Sequence, residues 1–170
     1  MWDLLVNPAK TLIKGGINAR RKSEEMKNLT IAVQDRIRRE ARFNARVLDE
    51  LSKGENGQAK YTDNVKVALV QSLRTDAFDD INNNSAIPIS LFFAASLEKE
   101  KWPNWKNKNL YLEYTHSDLT QFDLLEHVYH RIHLAKTFAA CGKLQGNMAY
   151  IRFMLAALEI SVKSTQIKIG

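Results

Sequence analysis

The chain has 170 residues, of which 45% are hydrophobic and 26% charged, a balance that excludes a disordered, collagen-like or disulfide-framework protein. Its net charge is +6 with a pI near 9.4, which suits an anionic partner but says nothing of the fold. The one cysteine, Cys141, cannot close an internal disulfide. No stretch reaches the ~18 apolar residues of a membrane span, and the expected compartment is the cytoplasm.

Residues 1–16 read as a short amphipathic segment set apart from a single helical domain over 17–170. Asn7 and Pro8 suit a helix start, and Gly15-Gly16 a stop or hinge. Trp2, Leu5, Val6, Ala9 and Ile13 share one helical face, opposite Lys10 and Lys14. An apolar run interrupted by Asp3, Pro8 and Lys10, with no small-residue cleavage site after it, argues against a secretory signal. The same pattern suits either packing on the main core or attachment to an anionic membrane surface.

A long helix is expected from about Ala19 to Lys53. Met26, Thr30, Val33, Ile37, Glu40, Asn44, Val47 and Leu51 alternate spacings of four and three, the heptad seam of a coiled coil. Glu55 to Gln58 reads as a loop. Thr62 or Asp63 caps a second helix to Leu73, with Val65, Leu69 and Leu73 on its inner side. Thr75-Asp76 restarts a helical turn that Asn82 to Ser85 ends, and Pro88 to Glu100 reads as a third helix. Lys101 to Asn109 is a loop, and Leu110 to Thr115 extended chain. Ser117 or Asp118 opens a helix that Gly142 stops, and a last helix runs from about Asn147 to Lys163. The fold class is all-α: a bundle of about four main helices, the first very long, with short accessory helices.

Four groups of residues are candidates for a site. Glu40 and Asn44 occupy seam positions where Leu would pack, so each needs a partner or lines a polar pocket. Arg152 and Arg36 are the partners expected for Glu40, and Glu159 and Lys163 lie on the same last helix as Arg152. Arg38, Arg39, Arg42, Arg46 and Lys53 form a basic stripe on the first long helix, interleaved with Asp35, Asp49 and Glu50. Residues 1–53 hold 12 Lys/Arg against 7 Asp/Glu, a net of +5, so nearly all the excess charge sits there. Ion pairs Asp35–Arg39 and Arg46–Glu50 are expected within it. Trp102 and Trp105, among Lys101, Lys106 and Lys108, suit base stacking or pinning of their loop. Glu126, His130 and His133, with Asp123, fall on one arc of a helix. The apolar positions Leu124, Leu125, Val128, Ile132, Ala135 and Ala139 lie opposite, which aims the polar arc at solvent and leaves it a weak metal candidate.

No Gly-rich phosphate loop, G-x-S-x-G, H-E-x-x-H or Cys-x-x-Cys occurs, so no catalytic residue and no cofactor are assigned. The expected function is a non-enzymatic helical module for protein–protein interaction or self-assembly. Its motive is the last helix, which is apolar on two sides: Ile151, Leu155, Leu158 and Val162 on one, Phe153, Ala156 and Ile160 on the other. Nucleic-acid binding through the arginine stripe and peripheral membrane association are the alternatives.

Overall fold

The computed structural model describes residues 19–55, 58–103, 107–108, 111 and 119–169. The expected N-terminal helix over 1–16 and Trp105 lie outside them. The expected all-α class holds. Helix α1 (Ala19–Leu51) is followed by a two-residue hairpin that pairs Gly54 with Ala59 and Glu55 with Gln58. Then come α2 (Asp63–Gln71), α3 (Asp76–Asn84), the single turn α4 (Ile89–Phe92), a 3-10 turn at Lys99–Lys101, α5 (Gln121–Ala140) and α6 (Met148–Ile169). No described helix is long and apolar enough to cross a membrane.

The heptad seam buries α1 along its middle. Of the seam positions, Val33, Ile37, Glu40 and Asn44 are buried and Met26, Thr30, Val47 and Leu51 are half-buried; Ala41 and Leu48, each one residue beyond a seam position, are buried too. Against it lies α6, whose other side packs on α5. The first apolar side of α6 is covered, with Ile151, Leu155, Leu158 and Val162 buried; of the second, Phe153 is buried while Ala156 and Ile160 are half-buried. A helix apolar on two sides is here the central helix of the bundle.

Helix α5 opens at Thr120, not at Ser117 or Asp118. Thr120 accepts from the Asp123 amide at 3.3 Å, and Asp123 accepts from the Thr120 amide at 2.7 Å, a reciprocal capping box. It stops at Gly142, whose φ of 72° suits a residue without Cβ. Of the expected inner positions after α2's start, Leu73 is buried and Leu69 half-buried, whereas Val65 is 42% exposed and Val70 is buried in its place.

The expected helix over Pro88 to Glu100 is the main disagreement. Only Ile89–Phe92 is helical, because the backbone beyond it pairs elsewhere. Phe93 and Ala95 carbonyls accept from Phe122 and Gln121 amides at 2.9 and 2.8 Å, and the Leu97 amide donates to Leu119. The N-terminal approach to α5 thus takes the hydrogen bonds a continued helix would have used. Gln34 of α1 anchors the same region, its amide donating to the Phe92 carbonyl at 2.7 Å. Tyr111 is helical where extended chain was expected, and is fully buried beside Trp102 and Phe153.

Candidate functional site

Glu40 and Asn44 stand one turn apart on α1 and both point at the corner between α2 and α3. The Asn44 side chain pairs with the peptide of Arg74 in both directions. Its Nδ2 donates to the Arg74 carbonyl and its Oδ1 accepts from the Arg74 amide, each at 2.7 Å. The Glu40 carboxylate accepts from the Ala77 amide at 2.8 Å and more weakly from Phe78 at 3.4 Å. These are first-turn amides of α3, whose own Thr75 makes no side-chain cap. Glu40 therefore caps α3 from a different helix, where the helix dipole favours a negative charge.

The buried Tyr129 hydroxyl lies beside the same carboxylate without a well-aligned hydrogen bond to it. Burial holds the Glu40 carboxyl above its ordinary range, despite the Ala77, Tyr129 and Phe78 contacts that pull it down; Asp76 adds to the rise. Neither expected partner reaches Glu40. Arg36 pairs with Asp80 at 2.7 Å, and Arg152 grips Asp49 through two nitrogens at 2.7 and 3.0 Å. The polar seam is thus two separate constructions, with Glu40 and Asn44 on the corner and Arg152 and Glu159 on the α1–α6 surface.

That surface has a regular build. Asp35 and Arg38 meet Gln166 at 3.1 and 2.6 Å, Arg42 meets Glu159 at 2.6 Å, and Asp49 meets Arg152. Each step of seven residues along α1 is a step of seven back along α6, so the helices run antiparallel in a fixed register. Arg38 also pairs with Asp35 at 3.3 Å, which replaces the expected Asp35–Arg39 pair. Glu50 is likewise taken by Lys53, Lys60 and Tyr61, not by Arg46, and these partners hold its carboxyl down to about 2.

The arginine stripe is therefore divided. Arg38 and Arg42 are tied to α6, while Arg39 and Arg46 are exposed and make no ion pair with a described residue. Each stands four residues beyond a rung, turned from it by about 40° at 100° per residue. On the other flank of Arg39 and Arg46, Phe43 is covered by the Arg74 guanidinium, 3.9 Å from the ring centre.

Of the two expectations for the tryptophans, Trp102 follows the second and pins its loop to the core. Trp102 is 3% exposed, donates its indole N–H to Ser161 at 3.3 Å, and packs edge-on to Phe153.

The histidine arc is also divided. His133 meets Asp79 of α3 at 3.0 Å, which ties α5 to α3. Glu126 and His130 are exposed and, with Asp123, His127 and Tyr111, border an open hollow of about 390 Å³. Burial, then Arg131 and His130, lower the pKa of His127, whose ring lies edge-on to Tyr111 and Tyr150. Among the described residues no three His, Cys, Asp or Glu side chains are placed to hold a metal ion, so the Glu126/His130/His133 set is not a formed centre.

The corner residues Ala77 and Arg74 escaped the sequence reading because their contribution is backbone, which leaves no residue-type signal. No family model, no curated protein and no solved structure matches this chain.

Proposed function

We propose that the protein is a non-enzymatic helical docking module that receives an acidic helical segment of a protein partner along the outward line of α1. One observation carries this reading. Arg39 and Arg46 are exposed, seven residues and about 10.5 Å apart, and repeat beside α6 the spacing with which α1 already engages α6 through Arg42–Glu159 and Asp49–Arg152. A helix carrying Glu at every seventh position fits that line as α6 fits the rungs.

A second copy of this chain is the poorer occupant, since two such faces would oppose arginine to arginine. Nucleic acid is less favoured than the unmodified stripe suggested, because Arg38 and Arg42 are engaged and Trp102 is buried.

The test uses a synthetic helical peptide with Glu at each seventh residue, beside a duplex and a single-stranded oligonucleotide. Binding of the peptide should weaken as salt rises toward about 0.15 M, and Arg39→Glu with Arg46→Glu should abolish it. The reading is overturned if the double variant binds the peptide as the wild type does, or if the oligonucleotides bind at that salt and the peptide does not.

A further inference from the structure

A cleft of about 220 Å³ lies between the 3-10 turn and the C-terminal half of α6. Its walls are of two kinds. Trp102 and Ile160 supply apolar surface, and the Trp102 ring is held by its hydrogen bond to Ser161. Behind them Gln121, 1% exposed, fixes the α6 wall by donating to the Ser161 carbonyl at 2.8 Å and to Thr165 Oγ1 at 2.7 Å.

The rim is charged. Lys101 Nζ stands 2.6 Å from Glu98 Oε2, and Lys168 Nζ donates to Oε1 of the same carboxylate. Ser164 donates to Glu98 at 3.0 Å. With Lys101 first, these three partners hold the Glu98 carboxyl down to about 2, so it remains an anion at ordinary pH. One carboxylate thus faces two ammonium groups, and a positive charge is left over. Each ammonium has three N–H donors. Among the described residues, Lys101 uses two, on Glu98 and Ser164, and Lys168 uses one. The Ser96 hydroxyl also lines the cleft.

We infer that this cleft binds a small organic anion. Its carboxylate or phosphate end lies beside the Glu98 carboxylate and takes the remaining N–H donors of Lys101 and Lys168, and its apolar body lies against Trp102 and Ile160. The volume equals that of about seven waters, room for one ring with a charged substituent. The surplus positive charge disfavours a cation, and a neutral molecule of the same shape leaves the spare lysine donors without a charged acceptor. This site is independent of the docking line on α1.

Benzoate, phenyl phosphate and benzamide are the probes. The readout is the Trp102 indole N–H resonance, assigned by its loss in Trp102→Phe. At least one of the two anions should give a saturable shift in the millimolar range, with benzamide about tenfold weaker or more. The tighter of the two anions identifies the head group. Lys101→Met and Lys168→Met should each weaken anion binding several-fold. Glu98→Gln should tighten it, because the competing carboxylate charge is removed. A clasp that only ties the 3-10 turn to α6 behaves differently: Glu98→Gln then lowers stability and adds no affinity. The inference is overturned if neither anion saturates at tens of millimolar, if benzamide matches the anions, or if the lysine variants and Glu98→Gln leave affinity unchanged.

Discussion

Helix α1 uses polar side chains in two ways, and the contrast lies in what they bond and how deep they sit. On the α2–α3 corner, Glu40 and Asn44 are 8% and 0% exposed and bind peptide groups. On the α6 side, Arg42 and Arg152 keep 45% and 37% of their side-chain surface in water and bind carboxylates. The surface pairs are fully charged and well aligned, whereas the corner contacts involve one carboxylate and one amide. Counting charges would rank the α6 side as the stronger. Desolvation reverses that order. A lost surface pair returns both partners to water, while a lost corner contact strands buried N–H and C=O groups.

The largest effect should follow Glu40→Ala, which leaves the Ala77 and Phe78 amides without an acceptor. A loss of about 3 kcal/mol in urea unfolding is expected. A loss below that of the surface variants would break the comparison. Asn44→Ala should cost about 2 kcal/mol, since the peptide of Arg74 loses one donor and one acceptor. Asn44→Asp should be little better, because the carboxylate replaces the donor facing the Arg74 carbonyl.

A pH series sharpens the same point. The folded Glu40 carboxyl is raised by burial above its unfolded value near 4.5, so the native state holds the proton more tightly than the unfolded chain does. Its contribution is then fully present below about pH 4.5 and is lost as pH rises through the folded value. The stability of the wild type relative to Glu40→Gln should accordingly be greater at acid pH than at pH 7. Parallel curves for the two proteins, measured by denaturant unfolding across that window, would show that burial does not govern this carboxyl.

The smallest effect is expected on the α6 side. Arg42→Ala or Arg152→Ala should cost under about 1 kcal/mol, and less in added salt. A larger loss would mean that the register between α1 and α6 depends on these rungs and not on the apolar seam beneath them.

What was legible in the sequence follows the same division. The seam positions Val33 and Ile37 were readable because helical periodicity is a local property, and so were the stops at Gly142 and Asn84. Glu40 and Asn44 stood out as misfits in that seam, which correctly marked them as needing partners. Their partners were not readable, since nothing in the identity of Arg74, Ala77 or Phe78 announces a free peptide group. Arg152 was matched to Glu40 by charge alone, whereas the helix register delivers it to Asp49, more than two turns along α1. The region after Phe92 failed for a related reason. Its residues are competent helix formers, but their backbone is recruited by Leu119, Gln121 and Phe122 across a gap in sequence that no local pattern encodes.

The seven-for-seven register between α1 and α6 also bears on how the chain is made. Its rungs join residues separated by 131, 117 and 103 positions, contacts of high order that close late and at a large cost in loop entropy. A ribosome adding roughly 5 to 20 residues per second needs on the order of ten seconds to travel from one partner to the other. For that interval α1 has no α6 to lie against, and its apolar seam is open to any chaperone or neighbouring chain that meets it first.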